Sequence, residues 1–268
     1  MLWPRWIWLR ALGLIFLSAF YSLAFQITGL NGPRGILPAA EYLPELRDTV
    51  GAAKALWYAP TLFWIASSDG ALLTVVLAGA AAAVLLTLNV APRASLLVCF
   101  ACFLSFVGAA QDFASYQSDG MLLEAAFISL FLAPPGLRPR LAAASPPMRF
   151  ASFLLLWEWF RIYFESGVVK ILSGDAQWRT LTALDHYYEN GPLPSWPGWY
   201  VQHLPHGFHA VSVVLVFAVE LLLVWLAFLP RRWRIACMGI SSAEFRKPTR
   251  CPTSCAANSI CNSFATRR

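Results

Sequence analysis

The sequence predicts an all-α membrane protein, a polytopic helical bundle of about six transmembrane helices. Hydrophobic residues make up 58% of the 268 residues and charged residues only 13%, whereas ordinary globular domains contain roughly 45–50% and about 25%. The mean hydropathy of +0.57 agrees with this difference. Several apolar runs also approach the ~20 residues that a helix needs to cross a bilayer. Composition therefore argues against a water-soluble domain.

The first predicted span covers residues 6–28. Arg5 and Arg10 near its start also fit a signal peptide, but the run is longer than a usual signal core and lacks a clear small-residue cleavage site. We therefore expect an uncleaved helix. The following loop is rich in Pro and Gly, and its aromatic second half is expected at the membrane interface, where Trp and Tyr concentrate.

Five further apolar segments complete the predicted bundle. The second span is rich in Ala and Gly, small residues that let neighbouring helices approach closely. The fourth is short, contains Glu124, and fits either a span that begins near Tyr116 or a re-entrant segment. Glu220 lies inside the sixth. The segments are residues 71–90, 94–110, 121–133, 150–172 and 208–229.

The positions of the basic residues support the count of six. With six spans the arginine-bearing segments all fall on one side of the membrane, as the positive-inside rule requires. The N-terminus is then inside, and residues 31–68, 111–120 and 173–207 face the other side. Membrane lipids are the predicted surroundings, and no nucleic-acid partner is predicted, because the basic residues form no long patch with interleaved aromatics. The arginines are Arg5, Arg10, Arg93, Arg138, Arg140, Arg149, Arg231, Arg232 and Arg234.

The fifth predicted span carries charged residues along one helix face. Glu158, Arg161 and Glu165 are spaced i, i+3 and i+7. Because isolated charges inside a membrane cost several kcal/mol, we predict that these three form an intramembrane polar network. Lys170 lies near the end of the helix, and its ammonium group is expected to extend to the membrane surface.

Three interpretations of these charges remain open. They form a structural ion-pair network, a binding or transport pathway, or a buried acid or base for catalysis. Glu124 and Glu220 on other spans are candidates to join them. Since the sequence supplies no nucleophile with its base, no catalytic residue and no cofactor is predicted.

The segment of residues 173–205 is predicted to be a recognition element. It is dense in Trp, Tyr and acidic residues, and its prolines favour an extended, rigid path. One interpretation is an aromatic belt at the membrane surface. The other is a surface that binds a polypeptide, because Trp, Tyr and Arg dominate interface energies. The predicted partner-binding residues are Asp175, Trp178, Arg179, Asp185, Tyr188 and Glu189.

The cysteines and histidines predict no metal site. Cys99 and Cys102 have CxxC spacing, but no strand–turn–helix context surrounds them, so two small apolar helix residues are the preferred interpretation. Three histidines lie three residues apart without an acid or Cys to complete a ligand set, and two cysteines near the C-terminus have no nearby His. These residues are His203, His206, His209, Cys251 and Cys255.

The run WEWFRIYFESGVVKILSGDAQWRTLTALDHYYENGPLPSWPGWYVQHLP closely resembles the lipase maturation factor family. In that family a charged span is followed by GDxxWxxLTxL and then PxPxxxxWY. The segments QITGLNGPRGILPA and SYQSDGMLLEAAF resemble the family too, and the resemblance covers most of residues 1–240. The family's Gln before the first of these prolines is Gly191 here. Matching residues are Lys170, Gly174, Asp175, Trp178, Arg179, Leu181, Thr182, Leu184, Tyr187, Tyr188, Glu189, Pro192, Pro194, Trp199 and Tyr200.

The resemblance implies a multi-pass membrane protein that is not an enzyme and that helps exported proteins, above all lipases, to fold and assemble. The implied location is the endoplasmic reticulum membrane in a eukaryote or the inner membrane in a bacterium. Family members continue into further spans and a large lumenal domain. Here the apolar character ends at Ser241. We therefore predict a transmembrane domain over residues 1–240 and a disordered or aberrant tail over residues 241–268.

Two other functions remain open from the sequence. One is a membrane-embedded enzyme or carrier for a lipid-like substrate that uses acids among the spans, since the core also looks distantly like vitamin K-dependent carboxylases. The other is an inactive, truncated family member. Loss of function confined to the loop would favour the maturation role. Loss confined to Glu124, Glu165 and Glu220 at normal protein levels would favour chemistry or transport.

Overall fold

A computed structural model describes residues 2–114, 116–139, 148–188 and 195–230 of the chain. Throughout these residues the regular secondary structure is helical, which confirms the predicted all-α class. Glu189 and the predicted tail, residues 241–268, lie outside the described residues. The chain divides into two compact units, Met1–Leu155 and Leu156–Arg268.

The described part of the first unit contains six helices and the start of a seventh. Short 3-10 turns at Leu62–Trp64 and Gln111–Ala114 interrupt the connections. The helices are α1 (Leu2–Asn31), α2 (Ala39–Val50), α3 (Ala52–Tyr58), α4 (Asp69–Thr87), α5 (Pro92–Ala109) and α6 (Gln117–Leu132). Helix α7 (Arg149–Leu172) begins in this unit and ends in the second.

Among its described residues, the second unit contains most of α7 and three shorter helices. These are α8 (Ala176–Arg179), α9 (Trp196–Gln202) and α10 (His206–Phe217). The path of α10 continues through a π-helical turn, Ala218–Leu222, and a 3-10 turn, Leu223–Phe228. Together, α10 and these two turns form one continuous helical segment that is largely apolar.

Four helical segments of the described residues are long and apolar enough to cross a membrane: Trp3–Asn31, Asp69–Thr87, Pro92–Ala109 and His206–Phe228. They correspond to the first, second, third and sixth predicted spans. The other two predicted spans are also helices. However, α6 has only 16 residues, and α7 includes two arginines, two glutamates and a lysine. Membrane crossing by α6 and α7, and hence the count of six, stays a prediction.

The core of the first unit is aromatic and closely packed. Phe16, Phe20 and Phe103 are all buried, and their ring centroids lie 5.7 to 6.1 Å apart. Gly79 of α4 lies directly against the Phe20 ring, and a Cβ atom on Gly13 of α1 would come within 2.6 Å of the Thr87 hydroxyl. Small residues therefore let α1 and α4 approach closely, as the Ala- and Gly-rich composition of the second span predicts.

Polar side chains connect the helix ends of the first unit. The turn between α4 and α5 has positive φ angles at Asn89 and Ala91. The Asn89 amide donates to the Pro139 carbonyl at 2.8 Å, and the Arg93 guanidinium donates to the Ala133 carbonyl at 2.6 Å. This turn is thereby tied to the segment that follows α6.

Cys99 and Cys102 are buried free thiols on α5. Both belong to the aromatic core of the first unit, and the Cys99 Sγ lies 3.8 Å from the Gly79 carbonyl oxygen. Buried cysteines in apolar surroundings behave as small hydrophobic residues. Their packing agrees with the apolar interpretation of the CxxC spacing.

Candidate functional site

A lysine and a glutamate form a closely hydrogen-bonded ion pair in the second unit. The Nζ atom of Lys170 lies 2.6 and 2.7 Å from the two carboxylate oxygens of Glu220, and each side chain is only 11% exposed. The Ser166 hydroxyl accepts from Lys170 at 2.7 Å and donates to Glu220 at 3.1 Å. The Lys170 ammonium group is therefore paired with a carboxylate of the π-helical turn that packs on α7, while its extension to the membrane surface stays a prediction.

The local sequence of α7 explains why this pair can form. Ser166 and Lys170 are four residues apart, so both side chains lie on one helix face. Gly167 lies between them, and a Cβ atom there would be 2.7 Å from Leu221 Cδ2 and 3.0 Å from Glu220 Cβ. Its missing side chain allows the π-helical turn with Glu220 to approach α7. Such π turns are rare and occur often at functional sites.

The predicted intramembrane network lies earlier on α7. Arg161 and Glu165 form an ion pair with 3.7 Å between Nε and Oε1, and their side chains are 37% and 53% exposed. Glu158 is buried, with 6% exposure. The structure thus brings Arg161 and Glu165 together, while a joint role of all three residues stays a prediction. Glu220 is engaged with Lys170, and Glu124 belongs to the first unit.

The loop after α7 begins with a short capped helix. Gly174 has a φ of +74°, a left-handed conformation that favours glycine. Asp175 caps α8, since its carboxylate accepts from the Gln177 backbone N–H at 2.9 Å. Trp178 on α8 packs edge-on against Phe217, with ring centroids 5.9 Å apart. The Lys170 ammonium lies 5.4 Å from the Trp178 ring centroid, within cation–π range.

From Trp178 the loop runs back along α10 towards its first residue. Ala183 and Leu184 are buried together with Val213, one turn before Phe217. Further along, the Tyr188 ring lies 6.0 Å from the ring of the buried His209. Burial raises the pKa of the Tyr188 phenol above its usual value. The loop is therefore packed on α10 along about three helical turns.

A side-chain hydrogen bond holds the far end of this loop. The Asp185 carboxylate lies 2.8 Å from Nδ1 of His206, the first residue of α10. The Gln202 amide of α9 donates to the Asp185 backbone carbonyl. Asp185 thus contacts a histidine that lies 21 positions away in the sequence. Sequence spacing gives no signal for this pairing, because it depends on how the loop folds back.

Five of the six predicted partner-binding residues lie in the described part of the loop. Four of them, Asp175, Trp178, Asp185 and Tyr188, make the contacts that hold the loop together or against α10. Arg179 differs, because it is exposed and forms no hydrogen bond or ion pair with any described residue. Three aromatic side chains of α9 are also largely exposed: Trp196 at 84%, Trp199 at 63% and Tyr200 at 63%.

Comparison with known proteins gives a consistent family match. Residues 3–244 match the family described as Lipase maturation factor transmembrane domain. Lipase maturation factor 2 of Homo sapiens is 37% identical over 252 residues, which covers 87% of this chain and 35% of that protein. Lipase maturation factor 2 of Mus musculus is 36% identical over 248 residues, with 87% and 35% covered. Lipase maturation factor 1 of Mus musculus is 31% identical over 239 residues, with 86% and 41% covered.

The chain spans about a third of the length of lipase maturation factor 2 and about two fifths of lipase maturation factor 1. No solved structure matches it. The family match over residues 3–244 covers parts of both units. It therefore includes the loop and the Lys170–Glu220 pair.

Proposed function

This chain belongs to the lipase maturation factor transmembrane domain family, and we propose that it assists the maturation of exported client proteins, in particular lipases, from within a membrane. The proposal is supported by the family match over residues 3–244 and by the names of its relatives. The structural observation that carries it is a loop packed against α10 with an exposed arginine, Arg179, that has no hydrogen bond or ion pair among the described residues. The proposed role is not enzymatic. The proposed location is the endoplasmic reticulum membrane in a eukaryote or the inner membrane in a bacterium.

Within this proposal the loop residues have two different roles. Arg179 contacts the client directly, because arginine combines charge with several hydrogen-bond donors and is enriched among residues that dominate interfaces. Asp175, Trp178, Asp185 and Tyr188 act as positioning residues, since their side chains are engaged within the unit. Glu189 follows directly in the sequence, and we propose that it also contacts the client.

The buried charges have a structural role in this proposal. Glu220 accepts hydrogen bonds from both Lys170 and Ser166, so the carboxylate is neutralised by a fixed partner. A general base or a transport site needs a carboxylate that can exchange its proton or its ligand. The Lys170–Glu220 pair therefore favours a structural role, in which it supports the loop, over the alternative of a membrane enzyme or carrier.

The maturation role is tested by measuring lipase specific activity, per unit of secreted lipase protein, in cells with and without this chain. The proposal expects lower specific activity at unchanged lipase synthesis when the chain is absent. Equal specific activity for all lipases of the host would contradict it. A loss caused by Glu165→Gln, at normal protein level and with normal loop variants, would favour chemistry or transport instead.

The recognition role of Arg179 makes a sharper prediction. Arg179→Ala should lower lipase specific activity while the membrane level of the variant stays normal, because the side chain contributes no contact within the described unit. Removing an interface arginine commonly weakens binding about tenfold. The matched control is Arg47→Ala, an exposed arginine of α2. Equal specific activity for both variants would contradict a client contact at Arg179.

A further inference from the structure

One end of the first unit brings together the start of α1, the end of α4 and the start of α5. Helices α1 and α4 are antiparallel, because Phe20 lies against Gly79 while Gly13 lies against Thr87, the last residue of α4. Helix α5 begins shortly after, at Pro92. The first turns of α1 therefore lie beside the turn that joins α4 and α5.

Arg138 is fixed beside this turn by hydrogen bonds of both its sequence neighbours. The Leu137 carbonyl accepts from the Ala91 backbone N–H at 2.7 Å, and the Pro139 carbonyl accepts from the Asn89 amide at 2.8 Å. The segment that follows α6 thus lies along the α4–α5 turn, with Arg138 between its two attachment points. The position of this arginine depends on the backbone of the segment rather than on a side-chain contact.

Three arginines at this end have no acidic partner. Arg93 and Arg138 are exposed, and Arg10 is half-buried. The Nε atom of Arg93 donates to the Ala133 carbonyl at 2.6 Å, which leaves both terminal nitrogen atoms of the guanidinium without a partner among the described residues. The Arg10 guanidinium lies 3.4 Å from the centroid of the Trp6 ring, which holds it close to α1. None of the three arginines forms an ion pair with a described residue.

The positive charge at this end is not balanced by acids of the neighbouring segments. Residues 2–13, 86–95 and 130–139 contain no Asp or Glu. Positive groups that lie close together without acidic neighbours repel one another, and an anion that binds between them removes this cost. Acids of the first unit lie instead at the opposite end of α1 and α4, in α2 and at the starts of α4 and α6: Glu41, Glu45, Asp48, Asp69 and Asp119.

We propose that this arginine site, formed by Arg93 and Arg138 with Arg10 beside them, binds the phosphate group of an anionic phospholipid. Guanidinium groups donate paired hydrogen bonds to phosphate oxygens, so two of them can hold one head group. Three candidate spans begin or end at this level, so the head groups of a bilayer are the nearest source of phosphate. Arginines at a membrane surface attract anionic lipids in particular. The inference is independent of the maturation role.

The first test is a lipid titration of the purified full chain, read by native mass spectrometry. The probes are phosphatidylglycerol and phosphatidylcholine with identical acyl chains, which differ in the net charge of the head group. Since each arginine near the surface strengthens anionic binding roughly fivefold, phosphatidylglycerol should bind about tenfold more tightly or better. Equal binding of the two lipids would overturn the proposal.

Arg138→Gln locates the binding, because the Arg138 side chain is exposed and forms no hydrogen bond or ion pair with a described residue. The variant should bind phosphatidylglycerol about fivefold more weakly and phosphatidylcholine as before. Arg47→Gln, at an exposed position of α2 near the other end of the unit, is the matched control for loss of one positive charge. An equal loss in both variants would mean that net charge alone attracts the lipid, and would overturn the site.

A photoreactive head group locates the lipid without any substitution. Phosphatidylglycerol that carries a diazirine on its head group should label peptides that contain residues 89–93 or 137–139 of the unmodified chain in preference to other segments. Labelling confined to other segments would overturn the assignment, whether or not Arg138→Gln folds.

Discussion

Lys170→Met is expected to destabilise the second unit by about 3–5 kcal/mol, because it leaves the Glu220 carboxylate buried without its counter-charge. Both side chains are only 11% exposed, so water does not replace the lost ammonium group. The same change removes the cation that lies over the Trp178 ring. The measurement is the thermal unfolding temperature of the purified chain, together with the folded amount recovered from membranes.

A double variant separates the buried charge from simple loss of packing. Lys170→Met combined with Glu220→Leu removes both charges and should recover most of the lost stability, since apolar replacement of a complete buried ion pair is often neutral or stabilising. Lys54→Met, at an exposed position of α3, controls for loss of one positive charge. If Lys170→Met and Lys54→Met unfold at the same temperature, the pair contributes nothing to stability.

The length of apolar runs predicted α1, α4, α5 and the helical segment His206–Phe228 well, because a helix needs about 20 apolar residues to cross a bilayer whatever surrounds it. The length of apolar runs does not predict the Lys170–Glu220 pair. The expectation for Lys170 was based only on its position near the end of its own helix. Its partner Glu220 lies 50 positions later in the sequence, in another helical segment. Opposite charges on successive apolar helices are a signal that could have suggested the pair, but their approach depends on Gly167 and on a π turn.

In the loop that follows α7, local conformation can also be predicted from the sequence, whereas the contacts with α10 cannot. The GDxxW motif carries the family resemblance, and each of its named residues has a local structural role in the fold. Gly174 makes a left-handed turn, Asp175 caps a helix, and Trp178 anchors the loop on α10. Capping and turn preferences are local, so they can be read from sequence. The contacts of the loop with Phe217 and His206 cannot be read from the sequence in this way, because they form only when the loop folds back along α10.

Close packing of α1 against α4 gives the second large expected effect. Gly79→Val should destabilise the first unit by about 1–3 kcal/mol, because a side chain at this position collides with the Phe20 ring. Phe20 is fully buried between Phe16 and Phe103, so its ring has little room to move away. The collision should separate α1 from α4. Thermal unfolding of the purified variant measures the loss.

Gly70 on the same helix provides the matched control, because nothing lies within 4 Å of a Cβ atom added there. Gly70→Ala should be neutral or stabilising by roughly 0.5–1 kcal/mol, since glycine is a poor helix former. Gly79→Ala removes the same flexibility but introduces the contact with Phe20, so the difference between the two alanine variants isolates the cost of crowding. If Gly79→Ala is as stable as Gly70→Ala, the α1–α4 contact is looser than the structure shows, and small residues are not what holds this pair of helices together.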